Sequence, residues 1–215
     1  MWTIGILALV VVGVAVVIGV HQYQHKQKLA AFQTLIREDS GQAEASLGTI
    51  TAREGTQGIR QAERERFIQA QRDFIAQVAA ADMSDTPEVQ REYVALLESE
   101  EQLMLTIGAT EQSEFQTLQV VEDESHLKVS QEYACNQAMD FRDHMSTVME
   151  DMKKVSKLEH NFQATCSKHG LAYEPVLSKY QVYFPKYFDN GQNDKALWYL
   201  CPRDSSGNPL RWEHN

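Results

Sequence analysis

The sequence predicts a mainly α-helical protein with one N-terminal transmembrane helix, a long antiparallel helical bundle or coiled coil, and a small C-terminal aromatic β-hairpin module. Three observations predict this fold class. Residues Ile4 to Val20 form an uncharged apolar run, residues 24–169 contain one proline and have apolar positions at helical spacing, and the composition changes at Gly170. The predicted segments are an anchor over 1–23, a neck over 24–62, a bundle over 63–170 and a module over 171–215.

The apolar run has the length of a membrane span. From Trp2 to Tyr23 a helix would extend about 33 Å at about 1.5 Å per residue, and the hydrocarbon core is about 30 Å thick. The two aromatic residues suit the headgroup boundaries. A cleaved signal peptide is the alternative, but no Lys or Arg precedes the run and no small-residue cleavage site follows it. We therefore expect a single-pass protein of a bacterial-type inner membrane.

Charges and cysteines predict which side of the membrane the rest of the chain occupies. Basic residues near a span tend to stay in the cytoplasm, and here they follow the run. A cytoplasmic bulk is therefore expected, with a signal anchor and a periplasmic domain as the alternative. An odd number of widely separated cysteines favours reduced thiols, in agreement with the cytoplasm. The residues concerned are Lys26, Lys28 and Arg37, and Cys135, Cys166 and Cys201.

The formal net charge of −10 restricts the possible partners. Nucleic acids select basic surfaces, so no nucleic-acid partner is expected. The acidic part of the chain is also not expected to lie on anionic lipid. The expected partners are the membrane, through the N-terminal helix, and either another protein or a second copy of the chain, through the helices.

Helical spacing defines two apolar faces in the first half of the bundle. The segment from Asp82 to Pro87 separates them, since Thr86 can cap a helix and Pro87 suits its first position. Gly108 to Thr110 predicts a weaker break, and the acidic residues Glu122 to Glu124 could interrupt the pattern again. The first face contains Phe67, Ile68, Phe74, Ile75 and Val78, and the second contains Val89, Tyr93, Leu96, Leu97, Leu103 and Ile107.

The strongest helical pattern lies in the second half of the bundle. Apolar residues alternate at spacings of three and four, as a coiled-coil seam requires, with Glu159 as the single polar residue among them. Gly170 then predicts the helix end, after the basic residues Lys168 and His169. The stripe comprises Ala138, Phe141, Met145, Val148, Met152, Val155, Glu159, Phe162 and Cys166.

Glycine recurs every seven residues in the neck, at Gly41, Gly48 and Gly55. On a helix these residues would form a seam that lets two backbones approach closely. Since glycine also weakens a helix, a flexible linker over Ser40 to Gly58 is an equal alternative.

The last 45 residues contain nine aromatic residues and four of the five prolines. The segments Tyr180 to Phe184 and Ala196 to Leu200 predict short strands around the turn-rich stretch Asp189 to Asp194. Asp204 to Pro209 predicts a second turn, and Leu210 to Trp212 a third strand. Because so small a hairpin is marginal alone, we expect it to dock on the helices or on a partner.

Residues with metal-binding or reactive side chains form no recognisable motif. His126, His144, His160 and His169 are spread along one predicted helical stretch. Asp140 and His144 have i, i+4 spacing but no second matching pair, so a metal site there is not predicted. The Met residues at helical spacing are more typical of core, and Asp189 to Asp194 departs from the EF-hand pattern at both diagnostic places. Cys201 is interpreted as a buried structural cysteine. No catalytic, cofactor-binding or metal-binding residue is predicted.

These observations favour a membrane-anchored helical scaffold or adaptor protein without catalytic activity. The alternative is an extracytoplasmic helical-bundle sensor or ligand-binding domain on a signal anchor, in which a small molecule would lie between the helices.

Overall fold

The computed structural model describes residues 17–39, 57–125, 130–177 and 200–212. Within these ranges the protein is mainly helical, as predicted. The first helix, α1, is described over 17–39. It is followed by α2 (Gln57–Ala80), α3 (Pro87–Ser125) and α4 (Gln131–His169).

The helices pack as an antiparallel bundle. Arg64 and Arg72 of α2 pair with Glu111 and Glu101 of α3, so position rises along one helix as it falls along the other. The helices α3 and α4 are antiparallel for the same reason. Glu88 near the start of α3 contacts His169 at the end of α4, and Thr117 near the end of α3 donates to the carbonyl of Gln137 near the start of α4. The first helix runs parallel to α3. Its Lys28 contacts Asp82 and Asp85 before the start of α3, and its Asp39 reaches Tyr93.

Both predicted helix ends are confirmed. The third helix begins at Pro87, where the missing N–H leaves no helical bond unmade. The fourth helix ends at Gly170, whose left-handed φ of 72° suits a residue without a Cβ. Its N–H and that of Leu171 bind the last carbonyls of the helix.

The predicted break at Gly108 is wrong, because α3 continues through it to Ser125. Gly108 lets a side chain of another helix pack closely against the backbone of α3, and it does not reverse the chain. The buried side chain of Arg64 crosses the helix at this point, and a Cβ on Gly108 would lie 2.8 Å from its Cδ. Arg64 then forms its ion pair with Glu111, one turn further along α3.

The predicted apolar stripes form the core. Every member of the second face is buried, and in the first face only Ile75 is partly exposed, against the same core. The α4 stripe is buried apart from Met145, which packs against it. Glu159 is buried among these apolar residues. The spacing therefore predicted the correct faces of three helices.

The predicted location in an inner membrane, with the bulk on either side, is overturned. None of the helices over 17–39, 57–125 or 131–169 has both the length and the apolar composition needed to cross a bilayer. The predicted span, Ile4 to Val20, lies outside the described residues except for 17–20. Those four residues belong to α1, which becomes polar from His21 onward.

Two other predicted segments are only partly described. The glycine seam of the neck lies outside the described residues, whereas 24–39 is helical and buries Phe32 and Ile36 in the core. The predicted strands before Leu200 also lie outside them. Within 200–212 there is no hairpin, and Leu210 to Trp212 is not a strand: one isolated bridge joins Arg203 to Pro209 around the predicted turn.

Candidate functional site: a buried cluster of carboxyl and tyrosine side chains

Aromatic side chains from all four helices meet at Tyr93. Its ring stacks on Phe162 of α4 at a centroid distance of 4.7 Å and an interplanar angle of 9°. Phe32 of α1 and Phe74 of α2 approach it edge-on. Tyr173, which follows α4, approaches Phe162 edge-on. These offset and edge-on arrangements suit the charge distribution of aromatic rings.

Three carboxyl groups lie in this region of the core. Asp39 of α1, Glu100 of α3 and Glu159 of α4 are only 5%, 2% and 4% exposed. Burying a charged carboxylate is unfavourable unless hydrogen bonds or opposite charges compensate for the lost water. The Tyr93 hydroxyl donates a hydrogen bond of 2.9 Å to Asp39 Oδ2, which compensates in part at that position.

Glu159 binds the segment that follows α4. Its Oε1 accepts hydrogen bonds from the N–H of Leu177 at 2.8 Å, from the N–H of Val176, and from the Tyr173 hydroxyl at 3.3 Å. The single polar residue of the α4 stripe therefore fixes residues 171–177 to the bundle. Gln33 of α1 binds the same segment, because its side-chain amide both donates to and accepts from the backbone of Ala172.

Burial and mutual repulsion raise the pKa values in the cluster. The pKa of Glu100 is held well above its usual value, first by burial and then by the charges of Asp39 and Glu159. Burial also raises the pKa of Glu159, although the donors on Leu177, Val176 and Tyr173 oppose the change. Three carboxylates cannot easily ionise together in such a place, so the cluster is suited to holding a proton.

A second polar assembly fastens residues 200–212 to the first half of α4. Cys135 and Cys201 form a disulfide, so the prediction of reduced thiols is wrong for these two. Arg211 forms ion pairs of 2.6 Å with Asp140 and Asp143. The Trp212 N–H donates to the side chain of Asn136, one turn before Asp140. We call this assembly of residues 200–212 on α4 the clasp.

The metal-ligand candidates do not come together. Asp140 is engaged by Arg211, and His144 has a buried Nδ1 without a hydrogen-bond partner among the described residues. His160 is exposed, while His169 lies 3.0 Å from Glu88. The described ranges contain no group of three or more His, Cys, Asp or Glu residues arranged to hold a metal. His126 and the loop Asp189 to Asp194 lie outside those ranges.

The four methionines at helical spacing in α4 and the third cysteine pack in the interior. Met152 is buried in the main core, with Met145 and Met149 packed against it, and Met139 lies beside the disulfide. Cys166 is a buried free thiol. Burial, together with the nearby Glu92, raises its pKa to about 12, so it stays protonated and is a poor nucleophile.

Sequence reasoning had part of the signal for the cluster. Glu159 interrupts an otherwise apolar stripe, and Glu100 follows Leu96 by four residues and precedes Leu103 by three, which puts it on the apolar face. Both are charged residues at core positions, which is a signal of a buried polar site. Nothing in the local sequence marks Asp39 or Tyr173 as its partners, because they come from distant parts of the chain.

The fold and site define a helical-bundle protein with a titratable core and a disulfide-linked clasp. Comparison of the chain with protein-family models, curated proteins and solved structures finds no match.

Proposed function

We propose that this chain is a helical scaffold or adaptor protein that acts by binding another protein rather than by catalysis. The observation that supports this proposal is an exposed apolar patch on the clasp. Tyr133, Leu210 and Trp212 are 51%, 44% and 40% exposed. Large apolar side chains grouped at a surface are typical of protein-binding sites, and Tyr and Trp are enriched there.

The three residues lie near one another because of the clasp. Trp212 binds Asn136, which is one helical turn after Tyr133, and the carbonyl of Leu210 lies 3.5 Å from Cys135 Sγ. The disulfide and the Arg211 ion pairs hold this surface in place, so a partner would not need to order it on binding. The net charge of −10 supports a protein partner rather than a nucleic acid.

Site-specific photocrosslinking in the native cells tests the proposal. A photoreactive phenylalanine analogue at Tyr133 should give covalent adducts with a defined protein. The same analogue at Lys153, exposed on the same helix, is the control and should give none. Adding Leu210→Ser and Trp212→Ser should abolish the adducts. An adduct of twice the chain mass identifies self-association, while equal labelling at both positions, or none at either, contradicts the proposal.

A sensor or ligand-binding domain is a second candidate, supported by the disulfide. Disulfides persist in oxidising compartments and are rare where thiols are kept reduced. Rapid alkylation of free thiols in intact cells, followed by mass spectrometry, tests this candidate. If the candidate is correct, Cys135 and Cys201 should escape alkylation until a reductant is added. Alkylation of both residues without reductant would leave the adaptor as the better supported function.

A further inference from the structure

Two of the buried carboxyl groups hold chain segments that lie outside the α3–α4 pair. Asp39 is the last described residue of α1 and accepts a hydrogen bond from Tyr93 of α3. Glu159 of α4 accepts from the backbone of Val176 and Leu177. In both positions the carboxyl oxygen is the acceptor, which the ionised form does best.

The third carboxyl group, Glu100, interacts electrostatically with both of the carboxyl groups that make these attachments. Glu100 lies two turns after Tyr93 on α3, is almost wholly buried, and is affected by the charges of both Asp39 and Glu159. When Glu100 holds a proton, the other two carboxylates can keep their charges and their hydrogen bonds. When Glu100 ionises, three negative charges share one apolar region and repel one another.

We propose that Glu100 is a proton-operated switch that controls the docking of α1 and of residues 171–177 on the α3–α4 pair. With Glu100 neutral, both segments are held by Asp39 and Glu159. With Glu100 ionised, repulsion loosens both attachments. This switch goes beyond the adaptor function and does not depend on the identity of a partner.

The titratable groups that face Glu100 come from several packed elements. Among the described residues they are Asp39 on α1, Tyr93 on α3, Glu159 on α4 and Tyr173 after α4. Burial is the main cause that raises the pKa of both tyrosines, so their hydroxyls remain neutral donors. From α2, Phe74 reaches Tyr93, and Arg72 pairs with Glu101 at 2.6 Å beside the cluster.

The direction of the pH effect follows from the raised pKa of Glu100. A carboxyl group with a raised folded-state pKa gives its full stabilisation below its usual pKa. That stabilisation is lost as the pH rises through the folded-state value. The docked state is therefore the low-pH state, and both segments should loosen as the pH increases.

Amide hydrogen exchange measured by NMR on the full chain tests the switch. In wild type, protection of the Val176 and Leu177 amides, corrected for intrinsic exchange, should fall as the pH rises through the titration of Glu100. The loss should be about tenfold for each unit by which folding raises that pKa. Glu100→Gln cannot ionise and should keep its protection. Glu98→Gln, which removes a charge from an exposed position of α3, should behave like wild type.

An internal reference and a direct titration complete the experiment. The Ala134 amide, bonded to Ser130 at the other end of α4, should keep its protection at every pH tested. The carboxyl carbon resonance of Glu100 in wild type should titrate at the pH where the Val176 and Leu177 protection stops falling. This measurement holds even if Glu100→Gln fails to fold. Equal pH dependence in wild type and Glu100→Gln, or protection that keeps falling above the pH at which Glu100 titrates, would overturn the switch.

Discussion

Tyr93 combines two roles that are usually divided between residues. Its ring is the centre of the aromatic core, and its hydroxyl is the donor that holds the buried Asp39 carboxylate. Removing only the hydroxyl therefore leaves the packing intact and removes one hydrogen bond from a buried carboxyl group. A hydrogen bond to a charged acceptor contributes more to stability than one between neutral groups.

Tyr93→Phe should accordingly lower the free energy of unfolding by about 1–3 kcal/mol, measured by urea denaturation at pH 7. Tyr133→Phe makes the same chemical change at an exposed site and should stay within about 0.5 kcal/mol of wild type. Equal effects at the two positions would mean that the Tyr93–Asp39 hydrogen bond does not contribute to stability.

Cys166 should be unreactive in the folded protein, because its thiol is buried and its pKa is raised to about 12. At pH 8 iodoacetamide should leave the native chain unmodified. Denaturation without reductant should expose one reactive thiol, and denaturation with reductant all three. Mass spectrometry counts the adducts. Modification of the native chain at Cys166 would contradict its burial.

At the scale of the helix, the α4 stripe shows how spacing determines packing. Phe141, Val148, Met152, Val155 and Phe162 are all buried, and the residues between them, such as Lys153 and Lys154, are exposed. The alternation of three and four residues keeps one face of a 39-residue helix directed towards the core.

Substitutions in this stripe should be much more damaging than substitutions beside it. Phe141→Ala should lower the free energy of unfolding by about 3–5 kcal/mol, and Val148→Asp should be at least as severe because it buries an unpaired carboxylate. Lys153→Ala should change it by less than about 0.5 kcal/mol. Denaturant titration measures all three, and a similar effect from each would contradict the helix register.

Gly108 tests whether helix propensity or the packing of the Arg64 side chain determines the effect of a substitution. In an exposed helix Gly→Ala stabilises by about 1 kcal/mol, but here the new methyl group would displace the Arg64 side chain from its place beside Glu111. Gly108→Ala should therefore gain less than that in wild type and regain the full amount in an Arg64→Ala background. A double-mutant cycle measures the coupling. Additive effects would show that Arg64 does not restrict the position.

At the scale of the whole molecule, residues distant in sequence close the structure. The disulfide links positions 66 residues apart, and Gln33 binds a segment 139 residues away. Residues 171–177 add Leu171 and Val176 to the core. The ends of the described chain therefore stabilise the middle, and their loss would affect the entire bundle.

Reduction of the disulfide should lower the melting temperature. For a loop of this length the chain-entropy model gives a stabilisation of about 4 kcal/mol. Thermal unfolding with and without a reductant measures the change. The Cys135→Ala and Cys201→Ala double variant should already melt at the lower temperature and should not respond to reductant. A wild-type melting temperature unaffected by reductant would contradict a stabilising clasp.

The sequence by itself determined which residues of the described α2, α3 and α4 face the core and where α3 begins and α4 ends. These features depend on spacing, proline and glycine within a few residues, so local physics is enough to predict them. The same local reasoning misread Gly108 as a break, because the Arg64 side chain that occupies the space comes from another helix.

The tertiary structure alone decided the pairing of Cys135 with Cys201, the meeting of Asp39, Glu100 and Glu159, and the docking of 171–177. Each of these depends on which distant segments become neighbours. The sequence showed that Glu159 was a charged residue at a core position but could not show what would satisfy it. Its partners, the backbone N–H groups of Val176 and Leu177, have no side-chain identity from which they could be predicted, since every residue except proline carries such a donor.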